Sequence, residues 1–217
     1  MVFTILLGWV IFWLAVWVGV FYLISKGTDY INHPFVFAIY FLIFSFPPLY
    51  FYRRQLIPLL DNFSIFPFIA LFFVLVVTVF SYYISKKYLQ LPKKMIKKYP
   101  NSLFLHMDYW YVLPKSFEIF FQQSLIIVLV ILLSDYGLNI WWIILSFSVL
   151  FGVMHAPMIK SEGILIGSYF TVASILSALL FPPLILFVHY GFVYSYAIHW
   201  FVYSFSPVMF WKLCPDL

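Results

Sequence analysis

Long apolar runs separated by short polar breaks set the pattern of this chain. A membrane-crossing helix needs about 20 mostly apolar residues. Runs of that kind extend from Val2 to Ile24, Phe35 to Tyr52, Ser64 to Ile84, Leu113 to Leu133, Leu138 to His155, Gly163 to about Leu180 and Leu184 to about Phe205. The pattern predicts an all-α fold, a polytopic transmembrane helical bundle of about seven spans. Residues 1–112 supply the first three helices and a long basic connection, and residues 113–217 supply the rest. The breaks are the expected kind: Ser25-Lys26-Gly27 with the polar turn to Pro34, then Ser134-Asp135-Tyr136-Gly137, then Pro157 and Lys160-Ser161-Glu162. Proline pairs are helix disruptors. Pro47-Pro48 should kink the second span or end it early, Pro182-Pro183 should break the sixth, and the seventh should stop before Pro207. The sixth span carries Gly167, Ser168, Ala173, Ser174 and Ala178, small residues that let helices approach closely in lipid. The first run lacks a basic leader and a small-residue cleavage site, so it reads as a retained helix.

Composition sharpens the class. Of 217 residues, 65% are hydrophobic and 9% charged, against about 25% charged in a soluble domain. The net charge of +5 is not a nucleic-acid signature. Six of the twelve basic residues fall between Lys86 and Lys98, beside a span, where they serve as an orientation signal facing anionic headgroups of the lipid bilayer. That cluster places the third connection in the cytoplasm, with Lys160 and Lys212 on the same side and the Asp135 turn outside. Arg53-Arg54 then falls outside, against the rule, and the N-terminus is also outside. The expected location is the cell membrane. Tyr109, Trp110 and Tyr111 suit an interfacial belt, and Pro114 suits a first helical turn. The single cysteine, Cys214, allows no intrachain disulfide and lies in the tail, away from any nucleophilic role.

Few polar groups interrupt the spans, and ionisable ones there are costly enough to need partners. Glu118, Gln122 and Gln123 lie in the fourth, His155 ends the fifth and His199 lies in the seventh. Counting about 1.5 Å per residue, the alternating spans bring Glu118, His155 and His199 to the cytoplasmic half. His189 falls near the outer end, and His33 and His106 in connections. Phe151 with His155, and His199 with Tyr203, are four apart and share helix faces. A carboxylate and two imidazoles in a dry cavity suit water activation, with a second imidazole and a hydroxyl stabilising an oxyanion. A zinc site is the competing chemistry, because two His and one Glu are a catalytic ligand set, although H-E-x-x-H is absent. The structural alternatives are a carboxylate held by Gln122 or Gln123 for packing, and histidines bonded between helices or lying at a helix end.

These residues resemble the CPBP family of intramembrane CAAX-type proteases and bacteriocin-processing proteins, whose blocks are E-E-x-x-x-R, F-x-x-x-H and H-x-x-x-N on separate membrane helices. Phe151-Gly-Val-Met-His155 matches the second block, and His199-Trp-Phe-Val-Tyr203 matches the third with Tyr in place of Asn. The first block aligns in two registers. Either Glu118 is the first acid, with Ile119 and Gln123 replacing the second acid and the Arg, or it is the second acid, with Phe117 and Gln122 as the replacements. The first register removes the supporting carboxylate and guanidinium together, so neither charge is left unpaired in the membrane. The resemblance covers about Leu113 to Ser206 and makes 113–217 a catalytic core. It implies an endopeptidase acting on a membrane-tethered, possibly prenylated peptide. Glu118 and His155 would activate water, His199 and Tyr203 would line the oxyanion site, and Gln122, Gln123 and Phe151 would support them. The competing functions are a non-catalytic scaffold or bacteriocin self-immunity protein, and a proton-coupled transporter, for which internal inverted repeats are lacking.

Overall fold

The computed structural model describes residues 2–61, 64–99, 105 and 109–213. Its elements are all helical: α1 Val2–Ser25, α2 Pro34–Phe51, the short α3 Arg53–Leu56 followed by a 3-10 turn at Ile57–Leu60, α4 Phe66–Tyr88, α5 Lys93–Lys98, α6 Tyr109–Asp135, α7 Ile140–His155, α8 Met158–Ser161, α9 Ile164–Ser177, α10 Phe181–Phe187 and α11 Gly191–Leu213. Six stretches are long and apolar enough to cross a membrane: α1, α2, α4, α6, residues Ile140–Ser161 and residues Ile164–Phe187. The chain is therefore an all-α integral membrane protein. The 23-residue α11 is long enough to be a seventh, but it is interrupted by serines, tyrosines and His199 and is not among the six.

An early end at Pro47-Pro48, a first-turn place for Pro114 and a stop before Pro207 are corrected, since all four prolines lie inside their helices. The helix does break ahead of Pro182-Pro183, between Ser177 and Phe181. Pro47 and Pro48 sit inside α2, which continues to Phe51. A proline removes one backbone donor, and in a membrane helix local adjustment re-satisfies the freed carbonyls. Pro182 and Pro183 open α10 rather than closing a span. A helix start tolerates proline because the missing N–H would have no intrahelical partner there. The sixth stretch therefore runs through Ala178–Leu180 to Phe187, and the next helix begins at Gly191 rather than Leu184. Pro207 lies within α11, which extends to Leu213. Gly191 packs against the Leu184 carbonyl so closely that a Cβ would lie 1.7 Å from that oxygen.

The helix ends follow ordinary local chemistry. Gly137, at φ +78°, closes α6, with Leu138 N–H donating to the Leu133 carbonyl at 3.1 Å. Asn139 caps α7, its Oδ1 accepting from Trp142 N–H at 3.1 Å.

The contacts group the chain into two compact units, residues 1–64 with 108–138, and residues 65–107 with 139–217. This differs from a division at residue 112, because α6 packs with the N-terminal helices. In the first unit α6 packs chiefly on α2 and also on α1. Trp9 Nε1 donates to the Leu125 carbonyl at 3.0 Å, and Phe121 sits among Phe12, Trp13 and Phe41 with ring centroids about 6 Å apart. In the second unit α11 packs on α4 and α10, and α7 and α8 pack on α9. Gly167 makes the last contact possible, since a Cβ there would stand 2.3 Å from Ile159 Cα. The small-residue reading of the sixth span holds at this position. Large apolar side chains such as Phe3, Phe72, Trp141 and Val172 are left exposed. On membrane helices that exposure faces lipid, so it carries no penalty of the kind it would in water.

Candidate functional site

Among the described residues, two clusters of hydrogen-bonded polar side chains hold the candidate residues, one in each unit. The first centres on Glu118, which is 2% exposed on α6. Lys115, one turn before it, donates from Nζ to Glu118 Oε1 at 2.6 Å and forms an ion pair with it. Gln122, one turn after it, donates from Nε2 to the same oxygen at 3.0 Å. Tyr30, from the α1–α2 connection, donates its hydroxyl to Glu118 Oε2 at 3.0 Å. Gln123 is buried on the same helix.

A local turn holds Tyr30 there. Asp29 Oδ1 accepts from the backbone N–H of Ile31 and Asn32 at 2.9 and 2.7 Å, and Oδ2 accepts from Asn32 Nδ2 at 2.8 Å. The Asn32 backbone bond is the leading reason that the Asp29 carboxyl lies below its ordinary range. The Tyr30 ring stacks on Phe37 with centroids 4.2 Å apart. Burial, and then the Glu118 charge, push the Tyr30 hydroxyl well above its ordinary range, so it stays protonated and remains a donor.

The second cluster joins α7 and α11. His155 Nδ1 lies 2.8 Å from the Phe151 carbonyl one turn back, and Nε2 lies 2.7 Å from the Tyr203 hydroxyl. A carbonyl only accepts, so Nδ1 carries the proton and Nε2 accepts a hydrogen bond from the Tyr203 hydroxyl. Ser174 Oγ, on α9, donates to the Thr171 carbonyl at 2.7 Å and lies 3.4 Å from the Phe151 carbonyl. Tyr203 stacks on Phe170, with centroids 4.8 Å apart and planes 14° from parallel. The His199 ring lies 5.3 Å from Tyr203 and 5.5 Å from Phe181. His155, His199, Tyr203 and Phe151 all line one cavity of about 250 Å³, whose wall is otherwise mainly aromatic and aliphatic, from Phe170, Phe181 and Ile198 among others.

The structure thus brings together the F-x-x-x-H and H-x-x-x-Y residues in the second unit, and Glu118 with Gln122 in the first. His33 and His189 join neither cluster: His33 Nδ1 accepts from the Asp29 N–H, and His189 packs edge-on against Tyr190. His106 and Cys214 lie outside the described residues. Zinc is poorly accommodated in the second unit. Both nitrogens of His155 are engaged by protein groups, and among the described residues no carboxylate lines the cavity and no three of His, Cys, Asp and Glu gather to hold an ion.

Two partners of Glu118 escaped the sequence reading. Lys115 was visible at i−3 on the same helix, a spacing that puts side chains side by side. Tyr30 lies 88 residues away and gives no sequence signal. No protein-family model, curated protein or solved structure matches the chain.

Proposed function

We propose that this chain is an intramembrane endopeptidase that hydrolyses a membrane-tethered peptide, such as a prenylated one, with a water activated at His155. The observation that carries the reading is the cavity of about 250 Å³ lined jointly by His155, Tyr203 and His199. His155 is set as a base: its Nδ1–H is committed to a backbone carbonyl, leaving the Nε2 lone pair to take a proton. Tyr203 has one hydroxyl proton and gives it to Nε2. A water bound at Tyr203 passes its proton to the phenol oxygen as the phenol proton moves to His155. The hydroxide adds to the scissile carbonyl, and the imidazolium returns a proton to the leaving amine. Because the Tyr203 proton is committed to His155, oxyanion stabilisation falls to His199 rather than to both. Glu118 carries the carboxylate that the family resemblance implies for the reaction. Here it also neutralises Lys115. In this reading the chain lies in the cell membrane, with the Lys86–Lys98 segment on the cytoplasmic side.

The test is cleavage of a panel of membrane-tethered peptides by purified protein in nanodiscs. Removal of a general base costs about 10²- to 10⁴-fold, so His155→Ala should lower cleavage by that much. Cleavage unaffected by His155→Ala and by His199→Ala would end the assignment. A non-catalytic role on this fold, as a scaffold or in bacteriocin self-immunity, is the second reading. It is favoured by the engagement of both His155 nitrogens and of both Glu118 oxygens within the protein. It predicts no cleavage of any peptide in the panel by the wild-type chain.

A further inference from the structure

We propose that the corner formed by the end of α4 and by α5 is a selective binding surface for acidic phospholipid headgroups, and that its occupancy stabilises the unit that bears the cavity. Lys86 and Lys87 lie in the last turn of α4, and Lys93, Lys94, Lys97 and Lys98 make up most of α5. All six are exposed, and no acidic residue stands between positions 86 and 98. Exposed Tyr88 and Leu91 lie between the two lysine sets, and Lys87 and Lys98 sit over the rings of Tyr88 and Tyr99 at 5.4 and 5.3 Å. Ammonium groups interleaved with aromatic and aliphatic side chains match a surface that offers phosphate and, just below it, hydrocarbon. The lysines continue directly from α4, a helix long and apolar enough to cross the bilayer. The anion within reach of that helix end is a lipid headgroup.

A topology signal needs only charge on a loose connection. Here the charges stand on an element pinned to the second unit. Met95 is 2% exposed beneath α5. The Tyr99 ring lies against Gly163, where a Cβ would come 2.2 Å from Tyr99 Cε1. Gly163, at φ +84°, is the residue from which α9 starts, and α9 contributes Phe170, Ala173 and Ser174 to the cavity wall. A lipid that holds α5 in place therefore also holds the Tyr99–Gly163 contact and the start of α9.

The test uses the full chain in a neutral detergent, titrated with phosphatidylglycerol or with phosphatidylcholine of the same acyl chains. Lipid retained is read by native mass spectrometry, and stability by the thermal unfolding midpoint. Phosphatidylglycerol should be retained in preference and should raise the midpoint, with the preference fading as salt rises. Lys→Gln replacements at positions 93, 94, 97 and 98 should weaken its apparent affinity about five-fold for each lysine at low salt. Tyr99→Ala keeps every lysine, so it should retain the lipid but lose most of the midpoint shift. Equal retention of the two lipids, unchanged affinity in the quadruple variant, or an equal midpoint shift from inorganic phosphate alone would overturn the lipid assignment. A full midpoint shift in Tyr99→Ala would overturn the coupling.

Discussion

Glu118 and His155 are both buried within membrane-spanning stretches, yet the chain treats them in opposite ways. Glu118 keeps a charge and is compensated by a charge, Lys115 at 2.6 Å, with Tyr30 and Gln122 as further donors. His155 is held through neutral groups, a carbonyl and a phenol, and it lines a cavity. The difference is in what each arrangement risks. A buried ion pair adds little net stability, but losing one partner strands the other charge at large cost. A neutral pair costs little to break and leaves room for a proton to move. The first arrangement suits holding helices in register, and the second suits chemistry.

The sharpest way to break that comparison is to remove one charge. Glu118→Leu removes the carboxylate that lies 2.6 Å from the buried Lys115 ammonium, with an expected loss of about 3–5 kcal/mol in unfolding free energy. The double variant Lys115→Met with Glu118→Leu should recover most of that loss. Denaturant unfolding in micelles reads both, and equal stability of the single and double variants would contradict the ion pair's structural role. The double variant also separates stability from catalysis: it should fold, and its cleavage rate reads directly whether Glu118 has any part beyond the ion pair. His155→Ala should be milder on stability, costing about 1–3 kcal/mol through loss of the buried hydrogen bond with Tyr203, while abolishing most cleavage. Tyr203→Phe removes one interhelical hydrogen bond, worth about 0.6 kcal/mol and at most about 1.7 in a membrane protein. It should raise no barrier to folding, but it should slow cleavage by removing the relay oxygen.

The smallest effect concerns pH. The Asp29 carboxyl is lowered chiefly by the Asn32 backbone bond, so its folded value lies below its unfolded value of about 3.9. The contribution of the Asp29 turn is therefore fully present above that unfolded value and is lost as pH falls through the lowered folded value. Asp29→Asn should therefore lower stability slightly in the neutral range and flatten the acid limb of the unfolding curve, with the two proteins converging at the lowest pH.

How much of this could be read from the sequence depends on the range of the interaction. The apolar runs placed every long helix, because hydrophobic length is a local property. The i,i+4 pairs also held: Phe151 with His155, His199 with Tyr203, and Glu118 with Gln122 all meet on their own helices. Proline boundaries did not hold, because α2 and α11 run through Pro47-Pro48 and Pro207. In lipid the alternative to a kinked helix is an unsatisfied backbone, and that alternative is worse. The tie between Tyr30 and Glu118 spans 88 residues and has no periodicity to announce it. The His155–Tyr203 bond spans 48 residues. Sequence depth alone placed both residues on the same side of the membrane, without fixing that one would donate to the other. Lys115 is legible at i−3, a spacing that sets two side chains side by side on one helix face.

The most direct test of the central claim is a side-by-side measurement of peptide cleavage and unfolding midpoint for wild type and His155→Ala in the same nanodiscs. The account predicts wild-type cleavage, a His155→Ala protein that stays folded, and a fall in cleavage of about 10²-fold or more. A folded His155→Ala protein that cleaves at the wild-type rate would contradict it.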